Sequence, residues 1–210
     1  MKYKVMIVED QTMPRELFEL RVQASERFEL ARSIDNAALA DVYCLRFPVD
    51  LILMDVITRD GENGLDAAAR IKRAFPQIKI IIVTSMPECS YLKRAKEIGV
   101  ESFWYKEEQR ESLLDVMERT MNGESVYPGA SPELTLGMAS SYQFTERELD
   151  ILREITSGDT NQEIADRLNM SVATVKTHIL NMLEKTGFRN RTELAVRARE
   201  SGLVILNRRN

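Results

Sequence analysis

The stretch Val172-Ala-Thr-Val-Lys-Thr-His-Ile-Leu-Asn-Met-Leu-Glu-Lys185 lies at the centre of a run from Phe144 to Val204 that decides how the second half of this chain folds. Val172, Val175, Ile179, Met182 and Leu183 recur at spacings of three and four, so they share one face of a helix. Thr174, Lys176, Thr177, His178 and Asn181 lie on or beside the other face. An apolar back and a front of short hydrogen-bonding side chains plus one Lys suit a helix that enters a DNA major groove. On that reading Lys176 and Thr177 face base edges. Thr174, His178, Asn181 and Lys185 position the helix on the phosphate backbone. His178, the one histidine of the chain, reads equally well as a helix residue packed beside the turn.

Punctuation on either side makes this helix one of four. Thr145 precedes Glu148 at the spacing of a capping box, and Leu149, Leu152 and Ile155 then keep helical period up to Gly158. Asn161 is expected to cap a second helix with Ile164, Ala165 and Leu168 facing inward. Ser171 caps the third, and Gly187 ends it. Asn190 or Thr192 opens a fourth through Leu194, Ala195 and Ala198, with Gly202 behind it. The whole string, FTERELDILREITSGDTNQEIADRLNMSVATVKTHILNMLEKTGFRNRTELAVRARESGLV, resembles without a gap the helix-turn-helix domain of LuxR/NarL-type regulators. That resemblance implies sequence-specific binding of double-stranded DNA. It also implies a dimer contact along the last helix, and hence a target with inverted-repeat half-sites. Leu180 departs from the pattern, because relatives often carry Lys or Arg there.

Charge is distributed to match. The chain carries a net charge of -4, with 29 Lys+Arg against 33 Asp+Glu. Yet residues 171–210 hold eight basic and three acidic side chains, so the positive face begins where the candidate groove helix begins.

The first half reads differently. Apolar runs Lys4–Val8, Phe28–Ser33, Leu51–Met54, Ile80–Thr84 and Ser102–Tyr105 alternate with amphipathic stretches Pro14–Ala24, Ala37–Phe47, Leu65–Phe75, Tyr91–Ile98 and Glu111–Met121. The strand runs are unbroken rather than alternating, as expected for strands covered on both faces. Repeated βα units imply right-handed crossovers and a doubly wound, five-stranded parallel α/β sheet. Sites in such sheets lie beyond the carboxyl ends of the strands. Here those ends are Glu9-Asp10, Asp55, Thr84-Ser85 and Lys106. Three carboxylates gathered at one edge repel one another unless a cation neutralises them, and a hard divalent ion such as Mg²⁺ suits carboxylate oxygens.

This constellation resembles the flavodoxin-like receiver domain of two-component response regulators over residues 1–122. The resemblance implies that Asp55 is the phosphoacceptor, supplied by a sensor histidine kinase. It implies that Asp10 and Asp55 hold Mg²⁺ directly, with Glu9 acting through water and the Ile57 carbonyl as a backbone ligand. Thr84 and Lys106 then contact the phosphoryl group, and Phe103 takes the aromatic switch position and turns inward on activation. Two departures stand out. The loop Asp55-Val-Ile-Thr-Arg-Asp-Gly-Glu-Asn-Gly64 lacks the Met-Pro common in receivers and has one extra residue, and Glu107 stands where many receivers have proline.

Residues 123–143, rich in Gly, Pro and Ser, read as a flexible linker between the receiver and a DNA-binding domain at 144–210. Leu134, Leu136 and Met138 are expected either to dock on a domain surface or to form a short helix. The linker permits packed domains or independent ones. Cys44 and Cys89 fall in different elements, as buried or half-buried thiols in a reducing cytosol. No signal peptide is expected, because the N-terminus leads directly into a strand, and no apolar run is long enough to span a membrane. The expected protein is a cytoplasmic regulator of transcription, homodimeric when phosphorylated or DNA-bound, and not an enzyme. Two rivals stand beside it. One is an aspartate-nucleophile phosphohydrolase, which needs a second acid two residues past the nucleophile, where this chain has Ile57. The other is a phosphorylation-independent regulator with a vestigial pocket, prompted by the unusual loop.

Overall fold

The computed structural model describes residues 2–59, 63–85, 89–106, 111–129 and 133–204, with the backbone alone at residues 89 and 90. The middle of the unusual loop, residue Glu107 and the thiol of Cys89 lie outside the described residues. The described residues divide into two compact units, one made of residues 2–85 and 91–129 and the other chiefly of residues 133–204.

In the first unit the strands are β1 (Tyr3–Val8), β2 (Phe28–Ile34), β3 (Leu51–Met54), β4 (Lys79–Thr84) and β5 (Ser102–Tyr105). All pair in parallel in the order β2-β1-β3-β4-β5. The helices between them are α1 (Thr12–Gln23), α2 (Ala40–Arg46), α3 (Gly64–Ala74), α4 (Cys89–Ile98) and α5 (Leu113–Met121). The stretch expected as a helix from Ala37 begins instead as a 3-10 turn, Ala37–Leu39. Alternation within the unbroken runs explains their composition. Val5, Ile7, Leu51, Leu53, Ile81, Val83 and Trp104 share one core with Phe18 and Val22 of α1 and Val116 and Met117 of α5. Their alternating neighbours Met6, Val8, Ile52, Met54, Ile80 and Ile82 are buried as well, so both faces of the sheet are covered. Each such side chain contributes roughly 1.5–3 kcal/mol relative to exposure. Cys44 is buried and unpaired, as expected.

The second unit opens with a two-stranded hairpin, β6 (Thr135–Leu136) and β7 (Ala139–Ser140). It continues with α6 (Glu146–Thr156), α7 (Asn161–Arg167), α8 (Val172–Thr186) and α9 (Arg191–Glu200). The sequence-predicted caps hold at Thr145, Ser171 and Asn190. At α7 the cap is Thr160 rather than Asn161, because Thr160 and Glu163 form a capping box. Asn161 is thereby freed to accept a bond from Arg191 Nη1 at 2.9 Å.

Residues 123–143 carry more structure than a plain connector. At one end Val126 and Tyr127 contact the first unit. At the other, Leu136 and Ala139 belong to the core of the second unit, and Met138 N–H donates to the Thr186 carbonyl at 3.0 Å. The leucine-rich stretch is therefore docked, as a hairpin rather than a helix. It satisfies a carbonyl at the end of α8, where such groups lack intrahelical donors.

Candidate functional site

The order β2-β1-β3-β4-β5 reverses direction between β1 and β3, the crevice in which doubly wound sheets place their ligands. Both strands end there in acids. Glu9, Asp10 and Asp55 each present a carboxylate oxygen, all within 4.8 Å of one another. Glu9 and Asp55 are buried and Asp10 half-buried. Lys106, just past β5, sits between them, donating to Glu9 Oε2 at 2.5 Å and to Asp55 Oδ2 at 2.8 Å. Asp55 Oδ1 accepts from the Val56 N–H at 2.7 Å, and Glu9 Oε1 from the Gln11 N–H at 3.1 Å.

Burial pushes the Asp55 carboxyl up to about 7. The Lys106 ammonium opposes that shift, and Glu9 adds to it. For Lys106, burial disfavours the charge, but the carboxylates of Asp55 and Glu9 outweigh it and raise its pKa above the ordinary lysine value. One ammonium against three carboxylates leaves a surplus of hard anionic oxygens, a donor set that fits a small divalent cation such as Mg²⁺.

Thr84, at the end of β4, is fully buried, and its carbonyl accepts the Lys106 N–H at 2.9 Å. The two residues read from the sequence as phosphoryl contacts are thus joined by their backbones. Ile57 is half-buried and forms an antiparallel bridge with Asn63. Phe103 is buried, with the ring of Tyr105 at 5.0 Å and that of Tyr127 at 6.4 Å.

The atypical loop keeps its ends in place by other means than Met-Pro. Thr58 Oγ1 accepts the Ala37 N–H at 2.9 Å, Arg59 N–H donates to the Asp35 carbonyl at 3.0 Å, and Arg59 pairs with the Asp35 carboxylate at 2.6 Å. At its far end Gly64 N–H donates to the Val56 carbonyl at 2.8 Å. A Cβ on Gly64 would stand 1.8 Å from the Asp55 carbonyl oxygen, so only glycine lets α3 begin this close to the acidic pocket. Sequence reasoning passed over Gly64 as a site residue; its position at the end of the loop was the available signal.

In the second unit α8 presents the expected front. Thr174, Lys176, Thr177 and Asn181 are exposed, while Val175, Ile179 and Met182 are buried and Val172 and Leu183 pack at the rim of the core. The Thr177 hydroxyl donates to the Ala173 carbonyl at 3.0 Å, which leaves its lone pairs facing outward as acceptors. His178 is half-buried, and Leu180 is 60% exposed. Lys185 is not on that front. Its Nζ donates to both carboxylate oxygens of buried Glu148, at 2.8 and 2.7 Å, and to the Gln143 carbonyl at 2.9 Å. The expected phosphate contact gives way to a structural tie, because Glu148 is also the capping acid of α6 and buries its charge against this lysine.

The two units correspond to two known families. The family model for the response regulator receiver domain matches residues 5–118. The model for bacterial regulatory proteins of the luxR family matches residues 142–198. The chain belongs to the response regulators that join a receiver domain to a LuxR-type helix-turn-helix domain. It is 33% identical to the response regulator protein VraR of Staphylococcus epidermidis, with 97% of this chain and 100% of that protein covered. It is 32% identical to VraR of Staphylococcus aureus over the same shares. Among solved structures, RcsB of Salmonella enterica serovar Typhimurium, bound to the promoter P1flhDC in the presence of the phosphomimetic BeF3⁻, superposes with a TM-score of 0.60. That likeness has 20% identity and covers 97% of this chain and 100% of that one. The response regulator ChrA of a heme-sensing two-component system gives a TM-score of 0.52 at 21% identity, covering 97% and 99%. Family membership makes the chain a regulator of transcription rather than a phosphohydrolase. Among the described residues no helix is long and apolar enough to cross a membrane.

Proposed function

We propose that this protein is switched by phosphorylation of Asp55 and, so switched, binds promoter DNA as a homodimer in the cytoplasm. The observation that carries the reading is the Lys106 ammonium held between Glu9 and Asp55 at the sheet's crevice. An intact, buried ion cluster of this kind supports a working pocket over a vestigial one.

An Asp55 carboxylate oxygen attacks the phosphorus of a phosphohistidine on a sensor kinase. The P–N bond breaks, an acyl phosphate forms, and the departing imidazole takes up a proton. Asp10 and Asp55 would hold Mg²⁺ directly, with Glu9 through water and the Ile57 carbonyl as a further ligand. The bound ion supplies neutralising charge for the crowded oxygens. Lys106 leaves Asp55 Oδ2 for a phosphoryl oxygen, and the Thr84 hydroxyl takes a second. The backbone hydrogen bond from Lys106 to Thr84 supports a joint shift of the two. In the second unit, Lys176 and Thr177 read base edges, and Thr174, His178 and Asn181 seat the helix on phosphates. Lys185 holds the domain together instead.

Incubation of the full chain with a small phosphodonor and Mg²⁺ should add one acid-labile phosphoryl group, and Asp55→Asn should abolish the mass shift. Equal labelling of the variant would show the acceptor to be another residue.

A further inference from the structure

The free edge of β5 is occupied by the chain's own connector. Val126 lies along it like the beginning of a sixth strand. Its carbonyl accepts the Phe103 N–H at 2.8 Å, and its N–H donates to Ser102 Oγ at 3.1 Å. Ser102 Oγ is within 2.7 Å of Thr120 Oγ1, which donates to the Val116 carbonyl at 2.6 Å, so a buried relay of hydroxyls seats the connector on both β5 and α5. The next residue, Tyr127, donates its hydroxyl to the Val100 carbonyl at 2.7 Å and receives the Lys96 ammonium over its ring at 5.1 Å. Its ring stands 6.4 Å from that of Phe103. Val126 is packed against the core that includes Trp104 and Val116.

We propose that residues 124–127 form a strap on the β5 edge that reports the position of Phe103 and is released when the acceptor pocket is loaded. This rests on the reading of Asp55 as phosphoacceptor. Phe103 is buried between β4 and the strap, and Lys106 follows it by three residues on the same strand end. A pull on Lys106 and Thr84 toward a phosphoryl group therefore shifts the surface on which Tyr127 rests. Tyr127 is only half-buried and, among the described residues, is held by one hydrogen bond, one cation and one ring, so it is the part of the strap that yields first. Release has a defined consequence. Release adds residues 124–127 to the connector that follows α5, lengthening it by four residues. A longer tether widens the range over which the second unit can reach a partner copy on DNA. The strap is thus an autoinhibitory contact made by the connector itself.

The test is hydrogen exchange of the peptide spanning residues 124–129 in the full-length protein, with and without beryllofluoride and Mg²⁺. Wild type should exchange at least tenfold faster when beryllofluoride is bound, and Asp55→Asn should stay slow in both conditions. Tyr127→Ala should exchange fast in both and should bind DNA without beryllofluoride as wild type does with it. Tyr127→Phe, which keeps the ring but loses the bond to Val100, should fall between them and guards against misfolding of the alanine variant. If Trp104 emission or bound-fluoride NMR shows an occupied pocket while exchange of the strap is unchanged, the strap proposal fails and the acceptor stands. If beryllofluoride does not bind at all, the acceptor reading fails and the strap proposal with it.

Discussion

At the scale of single residues, two positions carry consequences that can be measured. The first is Asp55, whose carboxyl is pushed up to about 7, first by burial and then by Glu9 against the opposing Lys106. A raised pKa means that the folded state keeps a proton that the unfolded chain has already released. Stability from this group is therefore full below about pH 4 and is lost as pH rises toward 7. Asp55→Asn removes that dependence. Asp55→Asn should therefore gain stability relative to wild type as pH rises from 4 to 7.5 in urea titrations. A difference that stays flat across that range would contradict the raised value. The second is Gly64, where a methyl group would overlap the Asp55 carbonyl. Gly64→Ala should cost about 3 kcal/mol or more in stability and should slow labelling of Asp55 by displacing the acceptor's own backbone. Wild-type melting and labelling in this variant would mean that α3 shifts freely.

At the scale of elements, α8 divides its lysines by role. Lys176 is exposed on the open face of the helix, whereas Lys185 is bound to Glu148, whose side chain is 3% exposed. Lys176→Ala should cost about 1–3 kcal/mol on a specific site and relax discrimination at one base pair. Lys185→Met should instead lower the stability of the second unit by about 2 kcal/mol, because a buried carboxylate loses its partner, with DNA affinity below the melting range nearly unchanged. Binding titrations on specific and random duplexes, paired with melting curves, separate the two. Equal losses on both duplexes for Lys176→Ala would remove it from base reading. The hairpin β6–β7 belongs to the same argument. Leu136 and Ala139 are core residues, so a fragment starting at residue 144 discards part of the core that a fragment starting at residue 133 retains.

At the scale of the whole molecule, a two-fold target is read by a pair of copies. Val196 on α9 is 49% exposed, while Leu194 and Ala198 of the same helix are buried, so among the described residues one face of α9 is open. A two-fold contact there would place two α8 helices about 34–36 Å apart, the spacing of inverted half-sites centred about 10 base pairs apart. Val196→Glu should weaken cooperative binding to such a repeat at least tenfold while leaving the melting temperature and binding to a single half-site in place. Unchanged cooperativity in footprinting would move the dimer contact elsewhere.

The amino-acid sequence by itself determined the two architectures and the residues of the acidic pocket, because both are written in short-range patterns. Unbroken apolar runs ending in Glu9-Asp10, Asp55, Thr84 and Lys106 point to the carboxyl edge of one parallel sheet. Caps at Thr145, Ser171 and Asn190 depend on neighbours three residues away. What only the tertiary structure decided are the pairings between residues far apart in the chain. Lys185 reaches across to Glu148, Tyr127 covers Phe103, Leu136 enters the core of the second unit, and Gly64 abuts Asp55. None of these carries a periodic signal. Each arises because a buried charge, ring or backbone carbonyl needs a partner, and the fold determines which distant residue is close enough to serve.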